Sequence, residues 1–172
     1  LLSARINTKY DEKSPFIHSD SQTLYFTSNG HPGLGGFDIF YARAIDTNWQ
    51  APSNIGYPIN GEDDDLGLFV SLDGKTGYFS SNTLRANTGW DLYSFEMPEE
   101  ARPEKVFLVQ GNLDVAEGTN LEDAKVKIKN LKTQETTEIK VDAQTGSYAR
   151  VVQKSEATDY IIKVEKKGAA FS

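Results

Sequence analysis

A block of residues returns 53 positions later without a gap, and this duplication limits what the chain can fold into more than any other feature. Asn7, Asp11, Phe16, Asp20, Thr23, Tyr25, Phe26, Ser28, Asn29, Gly36 and Asp38 recur as Asn60, Asp64, Phe69, Asp73, Thr76, Tyr78, Phe79, Ser81, Asn82, Gly89 and Asp91. Ile6 recurs as Ile59, so 12 of the 36 pairs between 6–41 and 59–94 are identical. Others keep their character, among them Ile17/Val70, Phe37/Trp90, Ile39/Leu92 and Phe40/Tyr93. An ungapped repeat of this length is one supersecondary unit used twice, and a period near 50 fits a four-stranded β unit better than a helical hairpin. Such arrays act as platforms more often than as reaction centres.

Within each unit the signals are those of strands. Phe16-Ile17-His18-Ser19 and Thr23-Leu24-Tyr25-Phe26-Thr27 are matched by Phe69-Val70-Ser71-Leu72 and Thr76-Gly77-Tyr78-Phe79-Ser80. Asp73-Gly74 lies between the second pair, the sequence that a type I′ hairpin turn prefers; Asp20-Ser21 is the weaker counterpart. A third strand is expected over 37–42 and again over 90–95, the first preceded by the glycine-rich loop 30–36. No part of residues 1–96 has sustained helical periodicity.

The pattern resembles the blades of TolB-like propellers, on the strength of Ser71-Leu72-Asp73-Gly74 with Tyr78-Phe79-Ser80-Ser81-Asn82. The first unit adds Asp20, Leu24-Tyr25-Phe26-Thr27-Ser28-Asn29 and Gly35-Gly36-Phe37-Asp38-Ile39-Phe40. The resemblance implies an all-β chain whose residues 1–96 are two four-stranded blades of a partial β-propeller. Gly77 stands where the family prefers Leu, so looser packing is expected there. Two blades do not close a propeller, which implies either further blades before Leu1 or a recruited partner.

The composition changes near residue 100. Residues 1–104 hold 7 Lys+Arg against 15 Asp+Glu, while 105–172 hold 11 against 10. Both Trp and most Tyr and Phe lie in the first part; most lysines lie in the second. The segment 97–104, with Pro98 and Pro103, reads as a linker. Beyond it, Val106–Gln110, Ala124–Asn130, Glu138–Val141, Ser147–Val152 and Tyr160–Val164 read as strands of a small β-sandwich, 105–172. Val109-Gln110-Gly111-Asn112-Leu113, Ala124 to Ile128, Asp142 to Tyr148 and Tyr160 to Gly168 resemble the carboxypeptidase regulatory-like domain, a name that implies no peptidase activity.

The residues for chemistry are sparse. Cysteine is absent and the only histidines are His18 and His31, without metal-ligand spacing, so both read as ordinary loop or solvent histidines. Gly33-Leu34-Gly35-Gly36 lacks the lysine and following helix of a phosphate loop. A sialidase-type reading fails as well, since no Trp follows Thr76 and no arginine occupies the same position in both units. Asp38 and Asp91, one per unit, read as structural caps of loop N–H groups. No catalytic residue, cofactor or metal ligand is expected. The acidic first part repels phosphate backbones, which argues against nucleic acid, and the apolar runs are too short for a membrane-spanning helix.

Blades followed by this sandwich resemble envelope proteins common in Bacteroidota that continue into an OmpA-type peptidoglycan-binding domain, among them a lipoprotein of the type IX secretion machinery. The resemblance implies a non-enzymatic scaffold at the periplasmic face of the outer membrane. Its partners would be outer-membrane components, and peptidoglycan only through a domain outside this sequence. The alternative is a propeller that binds peptide or glycan. Contacts are expected on loops: Leu34 and Gly35 in the glycine-rich loop or its counterpart 83–89, and Trp49 and Tyr57 in the connector. Trp90 is expected in the core, because Phe37 holds its position in the first unit. Glu62-Asp63-Asp64-Asp65 is expected to be a solvated acidic edge, because four adjacent carboxylates do not bury together.

Overall fold

The computed structural model describes residues 2–82, 89–116, 119–153 and 159–166. Among these the chain is all-β, with thirteen strands and one three-residue 3₁₀ turn. It divides into two compact units, Leu1–Lys105 and Val106–Ser172.

In the first unit, β1 (Glu12–Ile17), β2 (Thr23–Ser28) and β3 (Asp38–Ile45) form one antiparallel sheet. The other sheet consists of β6 (Asp65–Val70), β7 (Thr76–Ser81) and β8 (Asp91–Glu96). Each strand of the second sheet begins 53 residues after its counterpart, and the registers coincide. Glu12 faces Ser28 as Asp65 faces Ser81, and Phe16 faces Tyr25 as Phe69 faces Tyr78. Both first strands carry a bulge, between Lys13 and Phe16 and between Leu66 and Phe69. The duplication is therefore one of backbone pairing as well as of residue type.

The connecting turns differ from the two-residue hairpin that Asp73-Gly74 suggests. In both copies five residues link the strands, closed by His18 N–H to Thr23 O and by Ser71 N–H to Thr76 O, each 2.9 Å. The left-handed position falls on Gly74 (φ 72°) in one copy and on Ser21 (φ 58°) in the other. Ser21 is held there because buried Asp20 accepts hydrogen bonds from the N–H groups of Gln22 and Thr23 and from Thr23 Oγ1.

The expectation of two four-stranded sheets needs correction. In the first sheet the fourth position is split into β4 (Asn48–Trp49) and β5 (Ser53–Asn54), both paired to β3. Pro52, which has no N–H to donate, lies between them. The second sheet has three strands among the described residues. After β8, Pro98 and Pro103 flank a 3₁₀ turn (Glu99–Ala101) in place of a fourth strand.

The segment 97–104 is not a free linker either. Met97 and Ala101 are fully buried in one core with Tyr25, Ile39, Ile55, Ile59, Leu68, Val70 and Phe79. Tyr25 Oη donates to Ala101 O at 2.6 Å, and Glu104 N–H donates to Asp20 Oδ2 at 2.9 Å. Arg43 donates to the carbonyls of Glu100 and Arg102. The two apolar residues outweigh the extended, proline-rich character of their neighbours, so the segment docks on the repeat it follows. Gly77 is also packed tightly, against the expectation. A Cβ there would lie 2.6 Å from the Phe95 ring and 2.9 Å from Met97 Sδ. Leu24 pairs with Ala42 in the first sheet and Gly77 with Phe95 in the second, a large–small pair inverted with its volume kept.

In the second unit, β10 (Lys125–Asn130) lies between β11 (Thr136–Lys140) and β13 (Tyr160–Glu165), while β9 (Val106–Asn112) pairs with β12 (Ser147–Gln153). Both sheets feed one apolar core around Val126, Ile128 and Ile139, joined by Val109, Tyr148, Val152 and Val164. The other face of β10 carries the expected lysines; Lys125 pairs with Glu138 at 3.0 Å and Lys127 with Glu165 at 2.7 Å.

A Cβ on Gly74 would enter a left-handed backbone position and meet Pro103 Cγ at 2.9 Å. Gly74→Ala is therefore expected to lower the unfolding free energy by about 2 kcal/mol. Ser21→Gly, at the same turn position in the other copy, is expected to stay within about 1 kcal/mol of wild type. Urea titrations compare the two; equal losses would contradict both the turn geometry and the docking of 97–104.

Candidate functional site

The two sheets meet along a junction built from the start of β3 and the approach to β6. Phe37 N–H donates to Asp64 Oδ1 at 2.8 Å, Asp65 N–H to Phe37 O at 2.7 Å, and Gly36 N–H to Asp63 O at 2.9 Å. Deeper in, the fully buried Asn60 amide takes both backbone groups of Ile39. Its Oδ1 accepts from Ile39 N–H at 2.8 Å and its Nδ2 donates to Ile39 O at 2.9 Å. Apolar packing completes the contact, with Tyr25 and Ile39 in one core with Leu68, Val70 and Phe79.

Five of the residues expected to make contacts come together here. Asp38 is buried and its Oδ2 accepts from the N–H groups of Leu34 and Gly35, folding the glycine-rich loop around one carboxylate. A Cβ on Gly35 would come within 2.3 Å of the Glu62 carbonyl, so the loop lies directly against the acidic segment. Leu34 points outward and is half exposed, and Asp63 is exposed. Asp91 occupies the position of Asp38 in the second sheet, but the loop counterpart 83–88 lies outside the described residues. Trp49 and Tyr57 do not join this group. Trp49 is half-buried against the cluster of Ile6, Leu24, Phe26, Phe40 and Ala42. It lines a separate cleft of about 390 Å³ with Arg5, Ile45 and Asp46. Tyr57 is 84% exposed on the connector turn.

The acidic segment is not a solvated edge along its whole length. Glu62 and Asp63 face water, Asp64 is spent on Phe37, and Asp65 is only 1% exposed. The first residue of β6 must enter the sheet, and Gly61 N–H supplies Asp65 Oδ2 with a bond of 2.7 Å. Burial pushes its carboxyl above the usual aspartate range. Hydrogen bonds from Ser81 and Gly61 oppose the rise, and the charges of Asp38 and Asp64 add to it. Asp38 Oδ1 and Asp65 Oδ1 are both buried without a hydrogen-bond partner among the described residues. Among the described residues, no three His, Asp or Glu side chains form a group suited to a metal ion.

One histidine differs from expectation. His18 is buried, its Nδ1 accepting Asp20 N–H at 3.2 Å and its Nε2 facing Ser71 O at 3.1 Å. That arrangement places the proton on Nε2 and makes His18 a strut between the sheets, bonded to the residue that holds its own place in the repeat. His31 packs against Phe26 and Phe40 with Nε2 facing Ile6 O at 2.9 Å.

One surface was missed by sequence reasoning. Tyr25 and Ile39 are completely buried, whereas their copies Tyr78 and Leu92 are 48% and 85% exposed. Phe69 and Trp90 are exposed beside them, Trp90 against the expectation that it is core. The two faces differ because Leu68, Val70 and Phe79 of the second sheet pack on the first sheet's Tyr25 and Ile39. Comparison with protein-family models, with curated proteins and with solved structures finds no match to the chain.

Because the folded carboxyl of Asp65 holds its proton more tightly than the unfolded chain does, this residue's contribution falls as pH rises from about 4 through the raised value. Asp65→Asn keeps an acceptor for Gly61 and removes the buried charge. It is expected to raise stability at pH 7 by about 1 kcal/mol and to gain less near pH 4. Unfolding curves across that range check this; a loss at pH 7 would mean that the charge is satisfied.

Proposed function

We propose that the chain is a non-enzymatic interaction module of the Gram-negative cell envelope. It would link an outer-membrane complex, of the kind that serves type IX secretion, to the periplasm and cell wall. The resemblance to TolB-like blades followed by a carboxypeptidase regulatory-like domain suggests this reading. The observation that carries it is the repetition of strand register, bulge and turn in two stacked sheets, followed by a second β unit with its own core. Repeated sheets form a rigid platform and a small second unit forms a spacer. The outward side chains of Leu34 and Asp63 at the junction rim are the contact residues favoured here, with binding spread over a surface rather than enclosed in a pocket.

Cell fractionation with protease protection tests the location. The protein is expected with the outer membrane and is expected to become protease-sensitive only after that membrane is permeabilised. Recovery in the cytosol would overturn the proposal. The alternative of a peptide- or glycan-binding protein is tested by thermal shift with muropeptides and oligosaccharides, where no saturable shift is expected. For the partner surface, Leu34→Ala with Asp63→Asn is expected to weaken capture of the outer-membrane complex about tenfold, with a shallower salt dependence than wild type. Identical salt slopes would remove Asp63 from the contact.

A further inference from the structure

An asparagine followed by glycine is the point in a chain where a side-chain amide is most open to the next backbone nitrogen, because glycine has no Cβ to block the approach. The sequence holds this pair twice, at Asn29-Gly30 and Asn60-Gly61. The fold treats the two oppositely. Asn60 is fully buried, and both ends of its amide are bonded to Ile39. Asn29 is exposed just beyond β2, and among the described residues no bond holds its Nδ2. Its copy Asn82 stays part-exposed in the same bond to Asp64, where the neighbouring sheet packs on that segment, but Thr83 follows it in place of glycine.

The groups around Asn29 match what such an attack requires. Asn29 Oδ1 accepts from Asp11 N–H at 3.1 Å, so a donor stands where negative charge would collect. Gly30 N–H, whose nitrogen would attack, donates to Ser28 Oγ at 2.9 Å. Ser28 Oγ in turn donates to Glu12 Oε1 at 2.9 Å, which leaves its lone pairs free to take the Gly30 proton. Burial raises the Glu12 carboxyl, but hydrogen bonds from Thr8 and Ser28, with the nearby His31, outweigh it and hold the group below the usual glutamate range. Glu12 is therefore ionised at neutral pH.

From this arrangement we propose that Asn29 is a self-modification site, converting to aspartate and isoaspartate through a cyclic imide formed with Gly30. The Gly30 nitrogen bonds to Asn29 Cγ while its proton moves to Ser28 Oγ and the Ser28 proton moves to Glu12. The Cγ–Nδ2 bond then breaks, and that nitrogen takes the proton back from the relay and leaves as ammonia. Water opens the ring at either carbonyl, one opening giving aspartate and the other isoaspartate. One water is consumed and one ammonia released, and nothing is oxidised or reduced. The new carboxylate lies beside Asp11, and the isoaspartate form lengthens the backbone that enters the glycine-rich loop.

Peptide mapping by mass spectrometry, with enzymatic methylation of isoaspartate as a second readout, tests this on the whole chain incubated folded and in guanidinium chloride. In the folded chain Asn29 is expected to convert at least as fast as in the unfolded chain, while Asn60 converts only when unfolded and Asn82 stays intact in the fold. Glu12 is a positioning residue that acts through Ser28, so Glu12→Gln is expected to slow conversion about tenfold. With the relay in place, the folded wild-type rate is expected to change little from about pH 7 to about pH 8, whereas in Glu12→Gln and in the unfolded chain it rises with hydroxide. If Glu12→Gln fails to fold, which conversion of Asn60 would report, the wild-type pH profile carries the test. A folded Asn29 that stays intact, that converts more slowly than the unfolded one, or whose rate follows hydroxide would each overturn the inference.

Discussion

The first unit depends on one buried amide. Ile39 enters a dry junction with its N–H and C=O facing the second sheet, where water does not reach them. The C=O also accepts from Ile55 N–H at 3.1 Å, but an unpaired N–H there costs roughly 1–3 kcal/mol. Asn60 meets both groups with one side chain, and its Nδ2 also reaches Asn54 Oδ1 at 2.8 Å. Only a planar amide offers a donor and an acceptor side by side at that reach. With Asn60 in place, Asp64 and Asp65 fall opposite Phe37, and the apolar side chains of both sheets close into one core.

Around that junction the two copies have diverged in compensated pairs. The Leu24–Ala42 pair of one sheet becomes Gly77–Phe95 in the other, and Met97 fills the remaining space. Ser21 tolerates a left-handed backbone because Asp20 accepts from the turn around it, while its copy uses glycine. Burial raises the Asp20 carboxyl, but hydrogen bonds from Thr23, Gln22 and Glu104 outweigh it and hold the group below the usual aspartate range. One carboxylate therefore shapes a turn and anchors the segment that leaves the repeat.

The repeat made the strand order and pairing legible, because two copies in register leave little freedom in how each is threaded. Its boundaries were less so. Glu12-Lys13-Ser14-Pro15 has no strand signature, yet it forms most of β1, since a bulge absorbs Ser14 (φ 48°) and Pro15. The 97–104 segment was misread because proline marks irregular backbone whether or not that backbone is docked; Met97 and Ala101 were the overlooked signal. Asp65 and His18 were misjudged for a related reason. Residue type alone gives burial odds; His18 is buried with Asp20 N–H and Ser71 O at its ring nitrogens, and Asp65 is carried inside by the strand it begins, with Gly61 N–H on one oxygen. The grouping of Leu34 and Gly35 with Asp63 was not legible at all, since loops 28 to 29 residues apart meet through the packing of two sheets.

Asn7 and Asn60 are the same residue at the same place in the repeat; Asn7 bonds Leu2 O, whereas Asn60 holds both backbone groups of Ile39. The most direct test of this account is the unfolding free energy of Asn60→Ala beside that of Asn7→Ala. A loss of about 3 kcal/mol for Asn60 and under about 1 kcal/mol for Asn7 is expected. Equal losses, or a small loss at Asn60, would contradict the claim that this amide holds the two sheets together.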